Sequence, residues 1–529
     1  MKPLKIYRYL FIVIGAIFLG ACHKDLDRFP TNDLTAEKVF KDLGGYTNTL
    51  AKLYVSFAVT GTNGRDIPQE IVSDEGNTGF LRQLWYLQCL TTDEAIWTWS
   101  GNTDPVGVQE MTWNASTQAV AGLYFRCYYI ITQANNFIME SSDGKISERG
   151  FSGAAAETIK QYRAEARFLR AYSYSVLLDN FGAVPFTDET YVVGSGVSPK
   201  QLSKQELFSY IENELTAIEG ELADPKTNEL GRADKAAAWA LLSRLYLNAN
   251  VYTGTPKYSE SIAAANKVIN AGYSLHNDYT QLMLADNHTL TNEFIWTIRF
   301  DGTGTQSFSG TSFLVHAPSG ITGEASGTNG SWNCSRITED FVNKFTGTDV
   351  RGQFWTTGQT KAVTTLLGDP TAGYSSKKFR NLTRDGKPGP NTNANGDFVD
   401  VDFPVFRLAE IYLNYAEAVW RGGTGGDNST ALGYLRALAV RGRPGDAAAS
   451  SAPALTENYL IDERGRELFW ECQRRTDLIR FGMFTTSKYL WDWKGNVRNG
   501  TAVDNKYNIF PIPDVDRTSN PSIVQNTGY

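Results

Sequence analysis

The chain has 529 residues, and its 50 Lys and Arg against 57 Asp and Glu give a formal charge of −7 without any Lys/Arg-rich block, which removes the electrostatic footprint of a nucleic-acid binder. With 42% hydrophobic and 20% charged residues it reads as a globular protein with a large core, not as a disordered one. His23, His276, His288 and His316 include no pair four apart, so an H-E-x-x-H zinc site is excluded, and no Walker loop, dinucleotide fingerprint or G-x-S-x-G elbow occurs.

Lys2, Lys5 and Arg8 precede an apolar run from Leu10 to Leu19 that closes on Leu19-Gly20-Ala21-Cys22. The run is too short for a bilayer span, which needs roughly 20 residues, and has the order of a cleaved signal. Small residues before a cysteine resemble the bacterial lipoprotein signal, so residues 1–21 are expected to be removed and Cys22 to carry lipid. Two or three acyl chains, at about 0.8 kcal/mol per buried CH2, hold a membrane stably where one does not. Polar residues 22–35, with Pro30, fit a tether, and 36–529 is expected to form one body. Cys89, Cys127, Cys334 and Cys472 are widely spaced without a C-x-x-C, as buried small hydrophobes would be.

Helical periodicity dominates the body. A helix from about Ala36 and another from about Thr117 come first. Stripes then fall at Ile159, Tyr162, Ala166, Leu169 and Val176, at Leu207, Ile211, Leu215, Ile218 and Leu222, and at Ala238, Leu241, Leu242, Leu245 and Ala249. Ser203 and Glu206 form a capping box, and Tyr258, Ile262, Ala265 and Ile269 mark a helix closed by Gly272. Leu408, Tyr412, Tyr415 and Val419 repeat the spacing before Gly422-Gly423. The fold class is therefore mainly α, a tetratricopeptide-like scaffold of four helix pairs, with repeats at about 36–60, 117–140, 157–272 and 406–480. The expected pairs join the Ala36 and Thr117 helices, 157–180 with 203–222, 234–272 within itself, and 406–422 with 429–443. Gly, Thr, Ser and Asn dominate from Thr291 to Phe403, so 291–403, like 61–116, is expected to be loops with short strands and to carry the binding residues.

Asp93-Glu94-Ala95-Ile96-Trp97-Thr98-Trp99, Gly231-Arg232-Ala233-Asp234-Lys235-Ala236-Ala237 and Phe406-Arg407-Leu408-Ala409-Glu410-Ile411-Tyr412-Leu413 resemble the SusD/RagB family of lipoproteins. So do Glu463-Arg464-Gly465-Arg466-Glu467, Arg474-Arg475-Thr476-Asp477-Leu478-Ile479-Arg480-Phe481-Gly482 and Pro511-Ile512-Pro513. Gly482 to Thr486 running into Lys488 to Gly495 is similar to the starch-binding subgroup. The resemblance spans essentially the whole chain. It implies a lipid-anchored, surface-exposed outer-membrane protein that captures glycan beside a SusC-like TonB-dependent transporter, with no catalysis and no required cofactor.

A pyranose presents an apolar C–H face and a rim of hydroxyls, which call for an aromatic plane and planar polar groups. Trp97 and Trp99, two apart, put both rings on one side of an extended segment, and Asn102 follows. On the resemblance Asp74, Arg82, Trp99, Asn102, Phe308 and Trp332 match starch-contacting positions, and Trp97, beside Trp99, is expected to join them as a glycan contact. Phe308 stands where the starch binder has Tyr, so a plane is kept and a hydroxyl lost. Trp99, Phe308 and Trp332 are expected to form an arc for a curved α-1,4-glucan. Asp400 and Asp402 match a calcium pair whose third carboxylate would come from near Asp286-Asn287-His288, where the loop is shorter and His288, a poor ligand for a hard cation, stands in its place. Structural calcium is thus weighed against a solvated acidic pair. The competing functions are a peptide- or other-glycan-capturing lid of the RagB kind and a surface glycosidase, the latter needing two carboxylates about 5 to 9.5 Å apart across the sugar.

Overall fold

The computed structural model describes residues 35–61, 79–192 and 194–529; the expected signal, Cys22, most of the tether and Asp74 lie outside the described residues. Two compact units are present, Met1–Asn48 and Thr49–Tyr529. Of the first, residues 35–48 are described: a helical turn at Ala36–Val39, the start of α1 (Leu43–Val55), and Phe40 against Tyr46 with ring centroids 4.8 Å apart.

The second unit is built on helices that pack in sequence order. A short α2 (Phe80–Trp85), β1 (Ile96–Trp97) and α3 (Thr103–Gln109) lead into α4 (Gln118–Glu140), which lies along α5 (Gly153–Phe181). Within this unit the neighbour of the Thr117 helix is α5, to which a short link joins it and with which it shares a broad apolar face. Next, α5 packs on α6 (Lys204–Ile218), and α7 (Lys235–Leu247) packs on α8 (Tyr258–Ile269). The capping box is made as expected: the Glu206 amide donates to Ser203 Oγ at 3.2 Å and the Ser203 amide to the Glu206 carboxylate at 2.8 Å. Buried Ala236, Ala237, Ala238 and Ala240 on α7 and Ala264 and Ala265 on α8 bring the helices close, and Ser261 Oγ donates to the Ser243 carbonyl at 2.9 Å across them.

The loop-rich stretch begins with β2 (Phe294–Ile298), passes α9 (Thr311–His316) and β3 (Ser335–Arg336), and ends in β4 (Phe403–Arg407). Strands β2 and β4 pair antiparallel, Phe294 opposite Arg407 and Ile298 opposite Phe403, so the two ends of the stretch are joined at its base. Directly after β4 come α10 (Leu408–Trp420) and α11 (Asn428–Gly442), with Tyr412 stacked on Tyr434 at 4.1 Å. Two further helices, α12 (Glu457–Leu468) and α13 (Arg474–Arg480), complete the scaffold.

Buried charge ties loops to helices. Glu467 on α12 accepts from Arg407, Arg351 and Arg441, at 2.6 and 3.1 Å from the first two, and Glu293 pairs with Arg407 and Arg441 at 3.0 and 2.6 Å. On the same helix Gly465 leaves room for another buried guanidinium, since a Cβ there would stand 2.8 Å from Arg474 Nη1. Each ion is stable at such depth only because its partners satisfy it; losing one partner from a buried pair costs about 3–5 kcal/mol.

Candidate functional site

The Asp93–Trp99 segment shows how local sequence becomes geometry. Arg474 donates to both oxygens of Asp93 at 2.8 Å, and Trp470 Nε1 donates to the Glu94 carbonyl at 3.0 Å. Burial pushes the Asp93 carboxyl up, but Arg474 outweighs it and holds the group below the usual carboxylate range, whereas burial lifts Glu94 to about 8. Both carboxylates are fully buried structural groups, which leaves neither available as half of a glycosidase pair.

From this anchor the chain enters β1, which pairs with β3 so that Trp97 stands opposite Ser335. Trp97 and Trp99 do share a side, their rings meeting edge to face at 5.5 Å. Their depths differ completely. Trp97 is 0% exposed, with Tyr86 edge-on at 5.6 Å and its amide bonded to Gln109; it is core, a correction to its reading as a glycan contact. Trp99, just past the strand, is 39% exposed.

Trp99 Nε1 donates to the carbonyl of Trp332 at 3.1 Å. The Trp332 segment runs beside the end of α9: its amide donates to the His316 carbonyl at 2.6 Å and the Cys334 amide to the Ala317 carbonyl at 3.0 Å. Phe308, half-buried, meets Trp332 at 5.9 Å and 64° and rests on the buried Phe398 at 5.0 Å. Arg82 is 9% exposed; its Nε donates to Tyr86 Oη at 2.8 Å, its Nη1 lies 3.5 Å from the Phe308 carbonyl, and its guanidinium covers Phe313 at 4.7 Å. Three rings and a guanidinium drawn from three distant stretches thus form one cluster. Half-buried Asn102 is three residues beyond Trp99, at the N-terminal boundary of α3. The supports Tyr86, Phe313, His316 and Phe398 carried no sequence signal, since none sits in a motif or a periodic stripe.

Asp400 and Asp402 are not a solvated pair. Asp400 Oδ1 accepts from the Gly302 amide and Oδ2 from the Asn391 amide, at 2.9 and 2.8 Å. Asp402 Oδ1 accepts from the Phe300 amide at 2.9 Å, and Oδ2 lies 3.0 Å from Arg299 Nε without hydrogen-bond alignment. Burial lifts Asp402 to about 7. Asp286 pairs with Arg384 at 2.9 Å, and Asn287 clamps the Asp402 main chain through its amide and carbonyl. A calcium ion would compete with amides for Asp400 Oδ1, Asp400 Oδ2 and Asp402 Oδ1, and the one oxygen that serves no amide, Asp402 Oδ2, faces the Arg299 cation, so the donor set does not fit one. Among the described residues no group of three or more His, Cys, Asp or Glu side chains is placed to hold a metal.

Similarity to known proteins agrees with this architecture. The family model described as "SusD family" matches residues 349–529, and one described as "Starch-binding associating with outer membrane" matches residues 72–247. The Starch-binding protein SusD of Bacteroides thetaiotaomicron is 36% identical, over 99% of this chain and 98% of that one. The chain belongs to the SusD family. A SusD-like protein of Bacteroides ovatus is 24% identical over 71% of this chain and 68% of its own. Among solved SusD-type folds, surface glycan-binding protein A from Bacteroides thetaiotaomicron, in complex with laminarihexaose, superposes with a TM-score of 0.69 at 16% identity, covering 91% of this chain and 99% of that one. A SusD superfamily protein from Bacteroides vulgatus gives 0.69 at 19% identity, covering 92% and 99%. No helix among the described residues is long and apolar enough to cross a membrane.

Proposed function

We propose that this SusD-family chain is a non-catalytic surface glycan-binding lipoprotein that captures α-glucan, starch or malto-oligosaccharide, and delivers it to a SusC-like TonB-dependent transporter, held at the outer membrane by lipid on Cys22. The observation that carries the reading is the bond from Trp99 to Trp332, which joins an exposed indole to a second aromatic with Phe308 alongside. Aromatic faces take the C–H side of a sugar, and Arg82 with Asn102, and Asp74 from outside the described residues, would supply partners for hydroxyls. The 36% identical starch-binding relative favours α-glucan over other glycans. The complex of a more distant neighbour with laminarihexaose keeps a β-glucan as the second reading.

Calorimetry against maltoheptaose, laminarihexaose and a peptide panel tests this. Three stacked rings and their hydrogen bonds correspond to about 4–6 kcal/mol, a millimolar to tens-of-micromolar Kd for maltoheptaose. Preference for laminarihexaose transfers the site to β-glucans, and binding of peptides alone makes the chain a peptide-capturing lid. New reducing ends after incubation with maltoheptaose would make it an enzyme.

A further inference from the structure

His316 is fully buried at the end of α9, yet both of its ring nitrogens face main-chain carbonyls: Nδ1 lies 2.6 Å from Gly330 O and Nε2 3.1 Å from Asp397 O. Its ring stacks under Trp332, with centroids 4.9 Å apart and planes 7° from parallel. The two carbonyls belong to the two segments that carry the aromatic cluster. Gly330 lies two residues before Trp332, and Asp397 immediately precedes Phe398, on which Phe308 rests. One imidazole therefore bridges the Trp332 loop and the support of Phe308.

A neutral imidazole has one N–H and one lone pair. Whichever nitrogen holds the proton, the other turns a lone pair toward a carbonyl oxygen. A second proton converts that repulsion into a second, charge-assisted bond.

We infer that His316 is a positioning residue for the glycan platform, setting the spacing of Trp332 and Phe308, and that its protonation tightens capture. The inference rests on the proposed reading of Trp332 as a sugar-stacking plane. Burial lowers the His316 pKa, while the Gly330 and Asp397 carbonyls and the Asp397 charge pull it back up, so the proton arrives on the acid side of neutrality. Asp397 is the charged group that acts on the ring from the facing loop, its carboxylate held by Asn329 and Asn393 at 2.8 and 3.2 Å. Further along that loop Asp400 is committed to amides, and Arg82 on α2 is turned to Tyr86 and Phe313.

Maltoheptaose affinity would be measured by calorimetry from about pH 7.5 to pH 5 for the wild type, His316→Phe and Trp332→Ala. The wild type is expected to bind about threefold tighter at the acid end, and His316→Phe, which keeps a ring but bridges nothing, to bind about fivefold more weakly with no such pH dependence. A His316→Phe protein that matches the wild type, or shares its pH profile, overturns the inference while leaving the platform intact. Trp332→Ala binding like the wild type would instead remove the platform itself. A readout on the wild-type chain guards against a variant that fails to fold. By linkage, saturating maltoheptaose must raise the His316 titration midpoint, followed by NMR and assigned with His23→Gln, His276→Gln and His288→Gln, by about half a pH unit; an unmoved midpoint overturns the inference.

Discussion

The indole N–H of Trp99 donates to the main-chain carbonyl of Trp332 at 3.1 Å, across 233 residues of sequence. That bond uses the one polar atom of Trp99 and leaves its ring face for a ligand.

Replacing Trp99 with Ala removes the exposed plane and releases the Trp332 carbonyl to water. The expected loss is about 1–2 kcal/mol of maltoheptaose binding, roughly tenfold in Kd, with little effect on the unfolding midpoint. Calorimetry and urea denaturation of the same preparation check both halves. Unchanged affinity would remove Trp99 from the site.

Trp97→Ala should do the reverse. It empties a fully enclosed position between Tyr86 and Trp99, at a cost of about 3–5 kcal/mol in stability. Trp97 Nε1 has no hydrogen-bond partner among the described residues, so Trp97→Phe, which loses volume and no bond, should cost clearly less. Denaturant midpoints rank the three proteins, and equal midpoints for Ala and Phe would contradict the packing described.

Glu417 supplies a pH-dependent contribution. It accepts from Arg480 at 2.7 Å and from Arg421 at 2.7 Å, and although burial pushes its carboxyl up, Arg480 and its other arginine neighbours bring it from 4.5 to about 2. A carboxyl depressed in the folded state stabilises it fully above its unfolded pKa and progressively less as pH falls through the folded one. Its share, on the order of 3 kcal/mol, is thus present above about pH 4.5 and lost toward pH 2. Glu417→Gln should unfold at lower urea than the wild type at pH 6, with the gap closing as the pH falls below 4.5. A constant gap would mean that the charge is not the source.

Calcium should not matter to the Asp400 and Asp402 segment. Their oxygens serve the amides of Gly302, Asn391 and Phe300, and Arg299 stands beside Asp402. Thermal unfolding in millimolar CaCl2 and in EGTA should give the same Tm. A rise of several degrees with calcium would show that the loop rearranges to bind it.

The helical half was legible because its determinants are local. Ser203 and Glu206 name a helix start, and Gly272, at φ 81°, names an end. Two-residue periodicity told which way Trp97 and Trp99 point, and both do point one way. It could not tell depth, which is set by Tyr86 and by a strand partner near Ser335. Asp400 and Asp402 misled for the same reason. Their spacing suits an ion, but the amides they hold lie on a loop about a hundred positions earlier, at Gly302 and Phe300, or in the turn at Asn391. The Asp93–Arg474 clamp likewise joins two motifs whose roles are intelligible only together.

The guanidinium groups of Arg351, Arg407 and Arg441 are locked onto Glu293, Glu463 and Glu467 beneath the loop-rich stretch. Segments with almost no regular secondary structure are thereby riveted to the helices by charge. Loops anchored in this way hold their side chains in place before any ligand arrives, so little ordering of the protein opposes association.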